Sequence, residues 1–463
     1  MKFPAAALCL VSIATANPDR KVSLFTAVDL GRLENGQDLS ASLNDTTFDP
    51  SGLALNRTYV DVTVDQQVNE RNFVSVGVGG IFWKAFEQET GEPEAKVIKF
   101  GPGISKAFLK YSMSETWNLT LGYFPYKYNP SARNLGEYLF RTEAYPTVVF
   151  TGGWSWMNSA GYNAVGLKLT QQTETFSQDF GIFGEYFNAP IYDMTPAYVA
   201  TWKPTPGFIL GGGVALHRYL SPNTKIRKEL TREYLYYENF YIPGKDSSGG
   251  QPGRAPRRIT MLKDDIDARA GADGLSPDVF YNDPNNAGAT AKSLRFDNRA
   301  IMLMTHATLD FNGLLGMDPK EMGAFELYGE IALLGLKNYP IFYTKYTERM
   351  PILLGGSIPT LGLLNHLSLE LEYLNNPNIQ SIYSTFDVLD LAPDLNFRYK
   401  TFKRDNIKWS VHASRDLASF LSIYVQVAND HMRLKDKYAR PEYIPITSTP
   451  ENWYWLMRLQ WAI

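Results

Sequence analysis

The stretch Tyr59-Val60-Asp61-Val62-Thr63-Val64-Asp65-Gln66-Gln67-Val68 decides the fold. Val60, Val62, Val64 and Val68 fall on one parity, and Asp61, Thr63 and Asp65 on the other. Successive side chains of a strand point to opposite faces, so period two separates a dry face from a wet one. A helix would mix these residues around its circumference. The stretch is therefore read as a strand between an apolar and a polar environment.

The same rhythm recurs along the chain. Leu367, Leu369, Leu371 and Tyr373 alternate with Ser368, Glu370 and Glu372. Phe325, Leu327, Ile331 and Leu333 enclose Glu326, Tyr328 and Glu330, and Val165, Leu167 and Leu169 enclose Gly166 and Lys168. Further segments lie at 22–31, 54–68, 73–86, 97–113, 116–126, 147–156, 163–173, 176–188, 194–203, 208–218, 299–310, 321–334, 350–356, 366–375, 403–414, 419–430 and 452–463. These are about 17 segments; single-chain barrels use even numbers, so 16 or 18 strands are expected. Many have the roughly 9–11 residues that a tilted strand needs to cross an apolar layer. Strands of a soluble sandwich or propeller average about 5–6 residues. Breaks such as Asn69–Asn72 and Ser114-Glu115 read as tight turns, and Gly31–Gly52 as an external loop.

Composition agrees with this. Aromatic residues make up 14% of the 463, yet mean hydropathy is slightly negative at -0.25, which suits strands with one greasy and one wet face. The net charge of -3 lacks the basic excess of nucleic-acid binders. At the N-terminus, Lys2, the apolar run Pro4–Ile13 and Ala14-Thr15-Ala16 follow the pattern of a secretory signal cleaved after Ala16. Residues 1–16 are thus expected to be a signal peptide, and 17–463 a single barrel domain. The single cysteine, Cys9, lies inside that signal, so disulfides, thiol catalysis and Cys-ligated zinc drop out. No later stretch of about 18 apolar residues offers a transmembrane helix.

At the C-terminus, Trp453, Trp455, Met457, Leu459, Trp461 and Ile463 share one parity, with Tyr454, Arg458 and Gln460 on the other. This resembles the closing strand of Gram-negative outer-membrane β-barrels, although that pattern usually ends on Phe or Trp. The resemblance implies an all-β, transmembrane antiparallel β-barrel in the bacterial outer membrane, surrounded by outer-membrane lipid and inserted by the barrel-assembly machinery. It further implies a porin-like channel for small polar solutes or ions, without cofactor or metal, and with a homotrimer as one assembly seen among porins.

Two stretches break the strand rhythm. Residues 121–146 run a strand into Pro125 and Pro130, then a helix-like piece from Asn134 to Ala144. In porins a loop after an early strand folds inward and narrows the pore. Arg133, Glu137, Arg141 and Glu143 are the constriction candidates, with an external cap as the other reading. The second stretch, about 219–295, combines KIRKELTRE (225–233) and a tyrosine-rich cluster with a Gly/Ser/Pro/Asp-rich run. It is read as a long loop or insertion, packing on the rim or contacting a surface, glycan or partner protein. A barrel used only as an anchor for such loops is the alternative function.

With the apolar parity toward lipid, Arg57, Asp61, Lys106, Lys110, Lys168, Glu185, Glu326, Glu330, Glu370, Glu372, Lys408, His412 and Arg458 point inward as pore-lining candidates. The basic members from strands near the closure and the acidic ones from later strands either form a transverse field or pair with neighbours. His412-Ala413-Ser414 resembles the His-x-Ser spacing of outer-membrane phospholipases. Here Arg415-Asp416 follows instead of that family's Asn-Gly, and the parity turns His412 and Ser414 away from lipid. No catalytic residues are assigned, and the chain is read as no enzyme.

Overall fold

The computed structural model describes residues 20–36, 52, 54, 56–84, 98–127, 129–132, 162–184, 193–222, 224–225, 232–237, 259–261, 291–296, 299–337, 345–375, 406–429 and 450–463. The strands are β1 (Arg20–Asn35), β2 (Arg57–Gln67), β3 (Asn72–Lys84), β4 (Ile98–Ser112), β5 (Trp117–Tyr126), β6 (Tyr162–Gln172), β7 (Phe176–Gly184), β8 (Met194–Thr205) and β9 (Phe208–His217). They continue with β10 (Arg232–Tyr237), β11 (Ile259–Met261), β12 (Ala291–Phe296), β13 (Ala300–Asp310), β14 (Glu326–Leu333) and β15 (Ile352–Ser357). The last are β16 (His366–Tyr373), β17 (Ile407–Ala418), β18 (Leu421–Ala428) and β19 (Trp453–Ala462). Two short helices, α1 (Phe311–Leu315) and α2 (Pro319–Met322), stand between β13 and β14.

Sixteen of these strands close into one antiparallel barrel, in the order β1-β19-β18-β17-β16-β15-β14-β13-β9-β8-β7-β6-β5-β4-β3-β2. Every neighbour is the next barrel strand along the chain except at the seam, where β1 meets β19. Closure leaves no unpaired edge, a requirement inside a bilayer. The seam is held at its end by reciprocal backbone bonds between Leu24 and Ile463, 2.8 and 2.9 Å.

The faces are inverted relative to a soluble protein. Leu24, Val76, Val78, Leu121, Phe180, Leu354 and Leu371 are exposed on the outer wall. Asp61, Thr63, Ser75, Glu370 and Ser410 are buried on the inner one. Outward apolar and inward polar alternation is the pattern of a transmembrane barrel. Tight turns cluster at one end. Asn69 caps its turn by accepting from the backbone N–H groups of Arg71 and Asn72 at 3.0 and 2.9 Å. Ser114 accepts from the Trp117 N–H at 3.1 Å. The other end carries the long connections.

Several boundaries differ from the sequence reading. β1 runs on to Asn35 rather than ending at 31, because Leu33 is fully buried and its carbonyl accepts from the Gly52 N–H at 2.6 Å. β14 starts at Glu326 rather than 321. Asp310 caps α1, Gly316 ends it in a left-handed conformation (φ 65°), and Asp318 with Pro319 opens α2. The Asn312 side chain then spans the enlarged turn, donating to the Gly323 carbonyl at 3.1 Å and accepting from the Phe325 N–H at 2.7 Å. The region about 219–295 holds β10, β11 and β12, which form a separate three-stranded sheet in the order β11-β10-β12. The segment 147–156 and the expected signal, 1–16, lie outside the described residues.

One inward glycine shows how tightly the wall is packed. The Tyr328 ring lies over Gly355 on the next strand and donates from its hydroxyl to Glu370 Oε1 at 2.7 Å. A Cβ on residue 355 would overlap that ring. Gly355→Ala is therefore expected to destabilise the barrel by about 1–3 kcal/mol through overpacking, read as a lower urea midpoint of the refolded chain. An unchanged midpoint would show that Tyr328 moves aside freely.

Candidate functional site: the barrel interior

At the seam, Asp29 stands in register between Arg458 on β19 and Arg57 on β2. Arg458 grips it with two bonds, Nε to Oδ1 at 2.7 Å and Nη2 to Oδ2 at 3.0 Å. The guanidinium also lies 4.8 Å from the centre of the Tyr59 ring. Both charged side chains are essentially without solvent exposure. Arg57 donates to the Tyr59 hydroxyl at 3.4 Å.

The wall of β2–β7 repeats this local pairing. Lys106 Nζ meets Asp65 Oδ1 at 3.4 Å, and Ser75 donates to the same carboxylate at 2.5 Å. Asp61 accepts from Ser105 at 2.9 Å and from Thr63 at 3.3 Å. Lys168 meets Asp179 at 3.6 Å, where Thr170 and Tyr126 also donate, at 2.6 and 3.0 Å. Across β14–β17 run Glu330, Glu326, Glu370 and Glu372, with Glu372 directly opposite Lys408 in register. On β1–β7 and β19, basic and acidic groups thus neighbour one another on adjacent strands, as expected where a low dielectric makes unpaired charge expensive.

The chain leaving β5 turns into the barrel. Asn129 Nδ2 donates to Glu330 Oε2 at 2.6 Å. Ser131 donates to Glu326 Oε2 at 3.2 Å and accepts from Thr308 at 3.1 Å. Ser357 holds the other oxygen of Glu326 at 3.3 Å. β14 lies six strands round the barrel from β5, so this segment spans much of the interior. Lys127 bonds the Ala132 carbonyl and tightens the bend. Asn129, Ser131 and Ala132 are buried. The inward fold anticipated for this connection is present at Lys127 and at 129–132. The four constriction candidates, Arg133, Glu137, Arg141 and Glu143, lie outside the described residues.

Of the pore-lining candidates, Glu185 also lies outside them. Arg57, Asp61, Lys106, Lys110, Lys168, Glu326, Glu330, Glu370, Glu372, Lys408, His412 and Arg458 all fall on the inward parity. His412 is buried there, 5.7 Å ring to ring from His366 and 6.0 Å from Tyr424. Ser414, on the same parity, faces away from lipid. Among the described residues no group of three or more His, Cys, Asp or Glu is placed to hold a metal ion.

Sequence reasoning missed two things here. Asp29, Asp65, Asp179, Asn129 and Ser131 anchor the cations and the crossing segment, but only the register reveals their partners. The inner wall also has an apolar sector, including Phe124, Phe183, Val199, Met302, Met304 and Leu334. The run Met302-Leu303-Met304 hides it, because both of its faces are apolar.

No protein-family model matches this chain, and no curated protein is significantly similar to it. Among solved structures, a high-pH structure of Pseudomonas putida OprB aligns with a TM-score of 0.49 at 9% identity, covering 100% of this chain and 97% of that one. A triple mutant of the Rhodopseudomonas blastica porin aligns with a TM-score of 0.41 at 8% identity, covering 96% and 100%.

Proposed function

We propose that the chain is an outer-membrane channel through which small hydrophilic solutes diffuse, with a passage narrowed by the segment after β5. One observation carries this reading. A closed barrel, greasy outside and charged inside, has the start of its fifth connection, at Asn129 and Ser131, turned into the interior and tied to Glu330 and Glu326 on a distant strand. A protein that only anchored its loops would need neither a charged interior nor a tethered cross-piece. Charges along a confined aqueous path favour polar solutes and repel apolar ones. Lys106, Lys110, Lys168 and Glu326, which keep exposure, are proposed as its lining, with the buried Arg57, Asp61, Glu330, Glu370, Glu372, Lys408, His412 and Arg458 completing the charged wall behind them. The channel performs no chemistry on the solute. Outer-membrane lipid is its surroundings, and the barrel-assembly machinery its route there.

Single-channel recording on residues 17–463, refolded into planar bilayers under a salt gradient, tests the proposal. Stable steps of defined size are expected, with a reversal potential that reports the sign of the favoured ion. A folded, heat-resistant barrel that gives no steps would overturn it.

A further inference from the structure

The inner wall of β3–β7 carries a chain of aromatic rings that simple diffusion does not require. Phe73 and Phe108 lie 6.1 Å apart, Phe108 and Phe124 6.4 Å, Phe124 and Phe183 6.5 Å, and Phe183 and Tyr126 5.5 Å. Each spacing falls within the range of attractive ring pairs. The chain climbs from Phe73, beside the tight turn at 68–71, to Tyr126 and Phe183, beside the long connections. The last three rings are buried, whereas Phe73 and Phe108 are half-buried and present ring surface to the interior.

The backbone keeps that surface flat. In register, Phe108 is followed by Gly122, Gly166 and Phe183, so that row holds no side chain of its own between the two phenylalanines, and the Phe124 ring of the next row lies between them. Both glycines have positive φ, 125° and 151°, and a Cβ on either would strike a backbone carbonyl. One row toward the tight turns, Phe73, Lys110, Thr120 and Lys168 stand side by side. Lys106 and Lys168 are engaged by Asp65 and Asp179. Lys110 is exposed, and among the described residues it makes no ion pair.

We propose that this wall is a binding track for flat organic anions, of the class of aromatic carboxylates. The solute's ring lies against Phe108 and Phe73, and its carboxylate meets the Lys110 ammonium. The proposal deepens the channel reading and rests on it. Ring contact alone would retain any apolar molecule, and the ammonium alone any anion. Their adjacency on one row favours a molecule that has both features.

Titration calorimetry of the refolded full barrel in detergent, with benzoate against acetate, tests the track without requiring conduction. Benzoate is expected to bind and acetate not. Phe108→Leu and Lys110→Gln are each expected to weaken benzoate about threefold to tenfold, while Lys320→Gln, on exposed α2, leaves it unchanged. The comparison of benzoate with acetate on the unaltered protein needs no variant to fold. Equal heats for the two anions, or benzoate binding that neither substitution changes, would overturn the track and leave the rings as wall packing. A barrel that binds benzoate but gives no conductance steps overturns the channel and keeps the site.

Discussion

Asp29→Ala is expected to destabilise the barrel by about 3–5 kcal/mol, because it strands the fully buried Arg458 guanidinium without its counter-charge. Arg458 has two short bonds to that carboxylate and a tyrosine ring against it, and the pair is closed off from water. Alanine removes the counter-charge and leaves the desolvation penalty in place. The effect belongs to the seam, where β1 and β19 have only each other to complete the barrel. The double variant Asp29→Leu with Arg458→Met is expected to recover most of the loss, since apolar pairs of similar volume often replace buried ion pairs without penalty. Urea unfolding of the refolded chain, followed by the heat-sensitive shift in electrophoretic mobility, measures both. Equal midpoints for the wild type and Asp29→Ala would sink the idea that this pair closes the barrel.

The second large effect concerns conduction. Glu330→Ala combined with Glu326→Ala is expected to release the segment after β5 and to give larger, noisier single-channel steps. Hydrogen bonds to charged groups contribute about 1.5–3 kcal/mol each, so losing both acceptors weakens docking by at least about a hundredfold. Removing acids also changes the charge along the path, so a control is needed. Asp65→Ala removes a charge from the inner wall but no tether, since Asp65 is held by Lys106 and Ser75 rather than by the crossing segment. Steps that grow in the double variant and not in the control support tethering. If both variants change conductance alike, charge accounts for the result and the cross-piece does not limit the passage.

How much of this was legible beforehand depended on the range of the interaction. Alternation is a property of a few consecutive residues, so Val60–Val64 and Leu367–Tyr373 announced their strands and faces directly. The inward position of Arg458 followed from its place between Met457 and Leu459 on a regularly alternating strand, and needed no knowledge of the strands beside it. Partners did not follow. Asp29 and Arg458 are 429 positions apart, and Asn129 and Glu330 are 201 apart. Nothing local in either residue names the other. The turn between β13 and β14 misled for a different reason. Phe325 shares the parity of Leu327, Ile331 and Leu333 and drew the strand's start too early, while Asp318-Pro319 and Gly323 were already organising a helix and its end. Short-range capping outweighed the weaker strand signal there. The aromatic chain escaped notice because its members come from four strands, one or two per strand, and only pairing brings them together.

The connection between β9 and β13 departs from His217 and returns to Ala300, and those two residues are register partners. The intervening chain builds its own small sheet, β11-β10-β12, before returning. An excursion that begins and ends at one point of the frame adds little to the entropy of closing it, since each doubling of length costs only about 0.6 kcal/mol. The neighbouring strands meet in the same register whether the excursion is short or long. This position is therefore a natural graft point. Evolution can lengthen, exchange or redecorate what is carried there while the barrel below keeps its register, and an engineer can do the same.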